Sequence, residues 1–237
     1  MDHDPEESQM TMINTPVTAV TQVTDRDRLI GRIAWVSAWV ALVVGQLHAL
    51  ARHRTEDGKA DLDLALTRFW AEPAGDLLSP LFSWGTPDFV YVTYGKVWLP
   101  IFVAFTVCAF VVHRHRRPTG AERWCWRVTL FAYVGACVSV AAEYWLQWGS
   151  ETSDLLEDLF LVTLPFVLTV LASTVLGIVL LVKRAQPRLP AILLTLVLPG
   201  LVLIPMVTSL GNVTLPIAFA FGLFGRRLGR QEEPFVS

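Results

Sequence analysis

Across 237 residues, 53% are hydrophobic and 17% charged, with a formal net charge of −2. A soluble domain of this size carries nearer a quarter charged residues and alternates polar with apolar positions. The balanced charge excludes a nucleic-acid partner held by a basic surface, and the mean hydropathy of +0.48 directs attention to where the apolar residues collect.

They collect in unbroken blocks of about 17 to 24 residues, the length a bilayer-spanning helix requires. Residues 1–24 precede the first block. They are acidic and then threonine-rich, with no cationic stretch followed by a short apolar core, so they are expected to form a disordered cytoplasmic tail and not a leader peptide. The first span is expected over about 29–51, between Arg26, Arg28 and Arg32 at its start and Arg52, His53 and Arg54 at its end. Ser37, Ala41, Gly45 and Ala49 recur every four residues, a small-residue face that lets a second helix approach closely in lipid.

Residues 52–87 read as an interfacial loop. Within it, Asp61–Glu72 forms an amphipathic helix carrying Leu62, Leu66, Phe69 and Trp70, expected to end at Pro73 because proline cannot continue the hydrogen-bond ladder. The second span, about 88–112, begins with Asp88 as a cap and contains Pro100, which predicts a kink. It exits into the arginine-rich turn HRHRRP.

The third span, about 124–146, has amphipathic aromatics at both ends. Trp126 and Tyr144 are 18 residues apart, about 27 Å along a helix and close to the thickness of a hydrocarbon core. The acidic run GSETSDLLED follows. The fourth span, about 159–182, carries a small stripe at Thr169, Ser173 and Gly177. Residues 191–225 are too long for one crossing and break at TSLGN, giving two short spans at about 191–207 and 213–225 and a tail at 231–237.

Six crossings with a cytoplasmic N-terminus place fourteen of the 19 Lys and Arg residues on the inner side, and five crossings place fewer there. The expected fold class is therefore all-α: a polytopic integral membrane bundle of five or six transmembrane helices, six preferred, with an amphipathic extracytoplasmic segment, in the cell membrane.

Ionisable residues inside spans are functional suspects. His48 lies 16 residues after Arg32, and Glu143 lies 16 after Arg127. Both are thus about 24 Å above the inner boundary, at one depth in the outer leaflet. Lys96 is a third candidate, with Gln46 and Gln147 nearby in depth. Together they point to an outward-opening polar pocket for a cation, a proton or a lipid headgroup. The alternative is a hydrogen bond that holds helices in register, or side chains that snorkel to water. Arg114, Arg116, Arg117 and Arg123 read first as a topology determinant and second as a site for anionic lipid headgroups.

Cys108, Cys125 and Cys137 form no CxxC pair and no disulfide framework. His48 and the pair His113 and His115 lie at opposite ends of their spans, so they cannot share one haem iron. Asp57, Asp61 and Asp63 lack calcium-loop spacing and read as a solvated face. No phosphate-cradling loop, HExxH or GxSxG is present. No cofactor or metal is expected. The function expected first is a non-catalytic subunit or accessory protein of a membrane complex, with the bilayer and a membrane-protein partner or a second copy as partners. A small-solute or ion-coupled transporter using His48 and Glu143 is the alternative, and an intramembrane lipid enzyme would need a metal or nucleophile the motifs do not supply.

Overall fold

The computed structural model describes residues 23–146 and 158–230. Residues 1–22, 147–157 (with Gln147) and 231–237 lie outside the described residues, and with them the expected disorder of residues 1–24 up to Gln22. The described chain is helical, without a strand. Its long helices are α1 (Asp25–Arg52), α4 (Trp98–Arg116), α5 (Gly120–Ala141) and α6 (Leu164–Val182). Shorter ones are α2 (Ala65–Leu77), α3 (Pro87–Gly95), α7 (Arg188–Thr195), α8 (Val197–Leu203) and α9 (Leu215–Gly229).

Local chemistry sets most helix ends. Thr24 and Asp27 form a reciprocal capping box that satisfies the first donors of α1. Thr86, not Asp88, caps α3: its hydroxyl accepts from the Phe89 amide, with Pro87 in the first turn. Arg117 ends α4 in the left-handed region at φ 48°, and its amide closes on the His113 carbonyl.

Prolines explain the interruptions. Pro100 has no N–H to give the Lys96 carbonyl, and the chain breaks between α3 and α4. The stranded Lys96 oxygen accepts instead from Trp145 Nε1 at 3.3 Å. Pro199 likewise cannot reach the Thr195 carbonyl, and α7 gives way to α8 there. Pro73 behaves otherwise. The expected stop does not occur: α2 runs through it to Leu77. The carbonyl that Pro73 strands belongs to Phe69, which is 84% exposed, while Thr67 and Ala71 are buried and hold the helix down.

The packing has large apolar side chains outside and small ones inside. On α1 the buried face is Gly31, Ala34, Ala38, Ala41, Gly45 and Ala49, which holds Ala41, Gly45 and Ala49 of the predicted small face but has Ala38 in place of Ser37. Its outer face exposes Ile33, Val36 and Val43, the last by 61%, and α5 exposes Phe131 by 71%. Water would penalise such a surface; lipid tails would not. Among the described residues, four helical stretches are long and apolar enough to cross a membrane: Asp25–Arg52, Pro87–Arg116, Gly120–Leu146 and Leu164–Val182.

The helices close into a ring in the order α1, α4, α5, α6, α7, α9 and back to α1, with α4 also touching α9. The central filling is aromatic, with Phe105, Trp126, Tyr133 and Phe221 all buried. Contacts sort the chain into two ends. At one, Asp27 meets Arg114 and His115, and Glu122 meets Arg116 and Lys183. At the other, Thr67 Oγ and Trp70 Nε1 of α2 donate to the carbonyls of Met206 and Val207.

His53, at the C-cap of α1, is buried with neither ring nitrogen hydrogen-bonded, its ring 6.3 Å from Trp70 of α2. Burial lowers its pKa from 6.5; Asp61 opposes this and Arg52 adds to it. The folded chain therefore resists protonating His53, while the unfolded chain does not. Its contribution is complete above about pH 6.5 and declines as pH falls through that value toward the folded pKa. Amide exchange in α2 should accelerate between pH 7.5 and 5.5, after correction for intrinsic rates, and the acceleration should vanish in His53→Phe.

Candidate functional site

A cavity of about 400 Å³ lies at the end of the bundle that α2 covers, a size within the usual range for small-molecule sites. Its rim carries Arg52, Asp61, Tyr91, Glu143 and Tyr144, its floor Phe102, Ala136 and Thr169, and one side the segment Thr208–Gly211. Glu143 and Ala136 are seven residues apart on one continuous helical stretch, so the cavity reaches about 10 Å into the bundle.

His48 forms part of the wall and is only 3% exposed. Tyr91 stacks on its ring at 4.5 Å and 16°, and Tyr144 meets it edge-on at 5.4 Å. Gly95 makes room for Tyr144: a Cβ there would lie 2.8 Å from the ring's Cγ. Trp98 Nε1 donates to His48 Nδ1 at 3.4 Å. An indole N–H can only donate, so Nδ1 is the acceptor and the neutral ring carries its proton on Nε2. That Nε2–H is buried and has no hydrogen-bond partner, and neither has Ser209 Oγ on the same cavity. A buried polar group without a partner is costly, so both atoms point to something that fills the space.

The backbone around the rim is unusual. A π-helical turn, Ala142–Leu146, extends α5 and bears Glu143 and Tyr144. A second, Asp158–Thr163, leads into α6 and contributes Val162 and Thr163 to the lining. Such widened turns recur at functional sites.

The structure thus brings His48 and Glu143 to one cavity. Lys96 is not among its lining residues; its Nζ sits 5.7 Å from the Trp145 ring. Asp61, read from sequence as solvated, accepts from Arg52 Nε at 2.8 Å and lines the cavity. Arg52 was legible only as a span boundary, although it stands one turn beyond His48. Tyr91 and Trp98 carried no signal beyond membrane aromatics. The TSLGN break is anchored: Asn212 Nδ2 donates to the Gly45 carbonyl at 3.4 Å and to Thr208 Oγ at 2.7 Å, and Thr208 donates to Gln46 at 3.3 Å.

At the opposite end, Arg116 is the one of the four predicted arginines that is buried, and Arg114, Arg117 and Arg123 remain exposed. Arg114 pairs with the buried Asp27, whose second oxygen lies 3.1 Å from His115 Nε2. Arg116 pairs with Glu122, and Lys183 Nζ reaches the other Glu122 oxygen at 3.1 Å. Arg123 donates to the Pro118 carbonyl at 3.1 Å, and Arg117 forms the left-handed cap.

No protein-family profile, curated protein or solved structure matches this chain. Its chemistry is therefore read from the residues alone. Among the described residues, no three or more His, Cys, Asp or Glu side chains gather to hold a metal ion. The cavity wall offers hydrogen-bond donors, charges of both signs and aromatic surface, which suits recognition of a small polar molecule with an apolar part.

Proposed function

We propose that the chain is a non-catalytic, multi-pass protein of the cell membrane, crossing six times with its N-terminus in the cytoplasm, and that it serves a membrane complex by binding a small ligand from the extracytoplasmic side. The observation that carries the ligand-binding reading is the partnerless Nε2–H of His48 on the wall of a cavity of about 400 Å³. Support for six crossings comes from the C-terminal segment. The chain runs from the Lys183 end to Met206 and Val207 beneath α2, then returns along α1 from Gly45 to Arg32. This topology keeps Arg114, Lys183 and Arg226 on one side, as the positive-inside rule asks.

Cysteine labelling in intact cells tests this. With Cys108→Ala, Cys125→Ala and Cys137→Ala as background, Asp57→Cys, exposed in the outer segment beside Asp61, should react with a membrane-impermeant maleimide from outside. Arg117→Cys should react only after the cells are opened. The reverse pattern would invert the molecule and remove the outward pocket.

A second reading, a solute transporter, draws on the asymmetry of the two ends. The cavity lies at one end, while ion pairs to the buried carboxylates of Asp27 and Glu122 tie α1 to α4, α4 to α5 and α5 to the end of α6 at the other. That is the arrangement of an outward-open state closed on the inside. Weakening those pairs would then raise solute flux in reconstituted vesicles, and an unchanged flux in Lys183→Gln would count against it.

A further inference from the structure

Resting on the outward pocket proposed above, we infer that its ligand is the head and glycerol region of a zwitterionic phospholipid. Three features of the cavity select this chemistry.

The first is charge. The rim holds one guanidinium, Arg52, which already pairs with the Asp61 carboxylate at 2.8 Å, and a second carboxylate, Glu143. A phosphate finds its cation at Arg52, and an ammonium finds carboxylates beside it. An anionic head without an ammonium meets two like charges and gains one opposite charge, so the rim disfavours it.

The second is the unmet donor. The Trp98 indole fixes His48 with its proton on Nε2, and that N–H together with Ser209 Oγ lacks a partner. The ester carbonyl oxygens of a glycerolipid are acceptors that stand just below the phosphate. They meet the requirement of a buried donor without adding charge.

The third is the gradient. Polarity falls from Glu143 at the rim to Phe102 and Ala136 at the floor, over about 10 Å. A lipid passes from head to ester to acyl chain in the same sense. A free polar solute would leave the apolar floor unfilled, which argues for the lipid over its soluble headgroup.

The test uses the full chain in nanodiscs of equal parts phosphatidylethanolamine, phosphatidylcholine and phosphatidylglycerol, with retained lipids counted by native mass spectrometry. The two zwitterionic lipids should be retained about tenfold over phosphatidylglycerol. His48→Phe keeps the ring stack and loses the donor, and should lower that retention about tenfold. His48→Gln keeps an N–H and should recover most of it. Glu143→Gln should narrow the preference over phosphatidylglycerol. Equal retention of all three lipids by the wild type would overturn the inference. So would full retention by His48→Phe with unchanged helical circular dichroism. Displacement of the bound lipid by an equal concentration of glycerophosphoethanolamine would overturn the lipid as the source. If selectivity fails while Asp57→Cys still labels from outside, the ligand class falls and the pocket stands; if the labelling fails too, the pocket falls with it.

Discussion

Glu122→Gln should destabilise the bundle by about 3–5 kcal/mol, the usual consequence of removing one partner from a buried ion pair. The side chains of Glu122 and Arg116 are each only 4% exposed. The carboxylate takes the Arg116 guanidinium and the Trp126 indole N–H on one oxygen and Lys183 on the other. Every neighbour is a donor. An amide replaces one acceptor oxygen with an NH₂ group, which turns donor against donor and leaves the arginine charge buried without its counterion. The change is felt on three helices, because Arg116 ends α4, Glu122 begins α5 and Lys183 follows α6.

Two companion variants separate the charge effect from simple loss of contact. Lys183 is 43% exposed, so Lys183→Gln should cost about 1 kcal/mol or less, as exposed pairs do. Replacing both Arg116 and Glu122 by methionine removes the buried charges together and should cost less than Glu122→Gln alone. Unfolding of the purified protein in graded denaturing detergent, followed by tryptophan fluorescence, measures all three. If the double variant were as damaged as the single one, the pair would contribute through shape and not through charge.

Much of the architecture was written in long-range composition. A run of apolar residues as long as a bilayer is thick admits few structures other than a helix, and the helical fold of the described residues, with four apolar stretches of spanning length among them, follows from that. What composition does not carry is which donor lacks an acceptor. The breaks at Pro100 and Pro199 follow from missing amides, but Pro73 needed knowledge that Thr67 and Ala71 are pinned beneath the outer segment.

The site was legible only in part for the same reason. His48 and Glu143 stood out because ionisable groups in apolar runs are rare. Arg52 looked like an ordinary boundary charge and Asp61 like part of a solvated face until the segment between them folded back to bring them within 2.8 Å. Asp27 and Glu122 carried no signal in the sequence, and each is an acid of a first helical turn that is also the buried anchor of a cluster spanning several helices. Tertiary partners give these residues their meaning, and one chain read in order does not display them.

A glycine-on-glycine contact between α1 and α9 leads to the other large effect. Gly225→Val should cost about 3 kcal/mol or more, at the upper end of overpacking changes. A Cβ placed on Gly225 falls 2.5 Å from the Gly31 carbonyl oxygen and 2.7 Å from its Cα, and these are backbone atoms that cannot rotate away. Helices α1 and α9 touch here without side chains between them, in the manner of small-residue interfaces in lipid. Gly222 extends the contact, with Ala38 Cβ 3.2 Å from a Cβ built there. Separating the pair by a methyl group would also loosen the Gly45 contact with Asn212, since α1 is one continuous rod from Asp25 to Arg52. The same substitution strategy at Gly75 is the control, because a Cβ there meets nothing within 4 Å. Gly75→Ala, inside α2, should leave the bundle intact and stabilise its own helix by up to about 1 kcal/mol. A Gly225→Val protein that unfolded like the wild type would mean that α9 is not seated on α1. The return path of the C-terminal segment, and the sixth crossing inferred from it, would then lose their support.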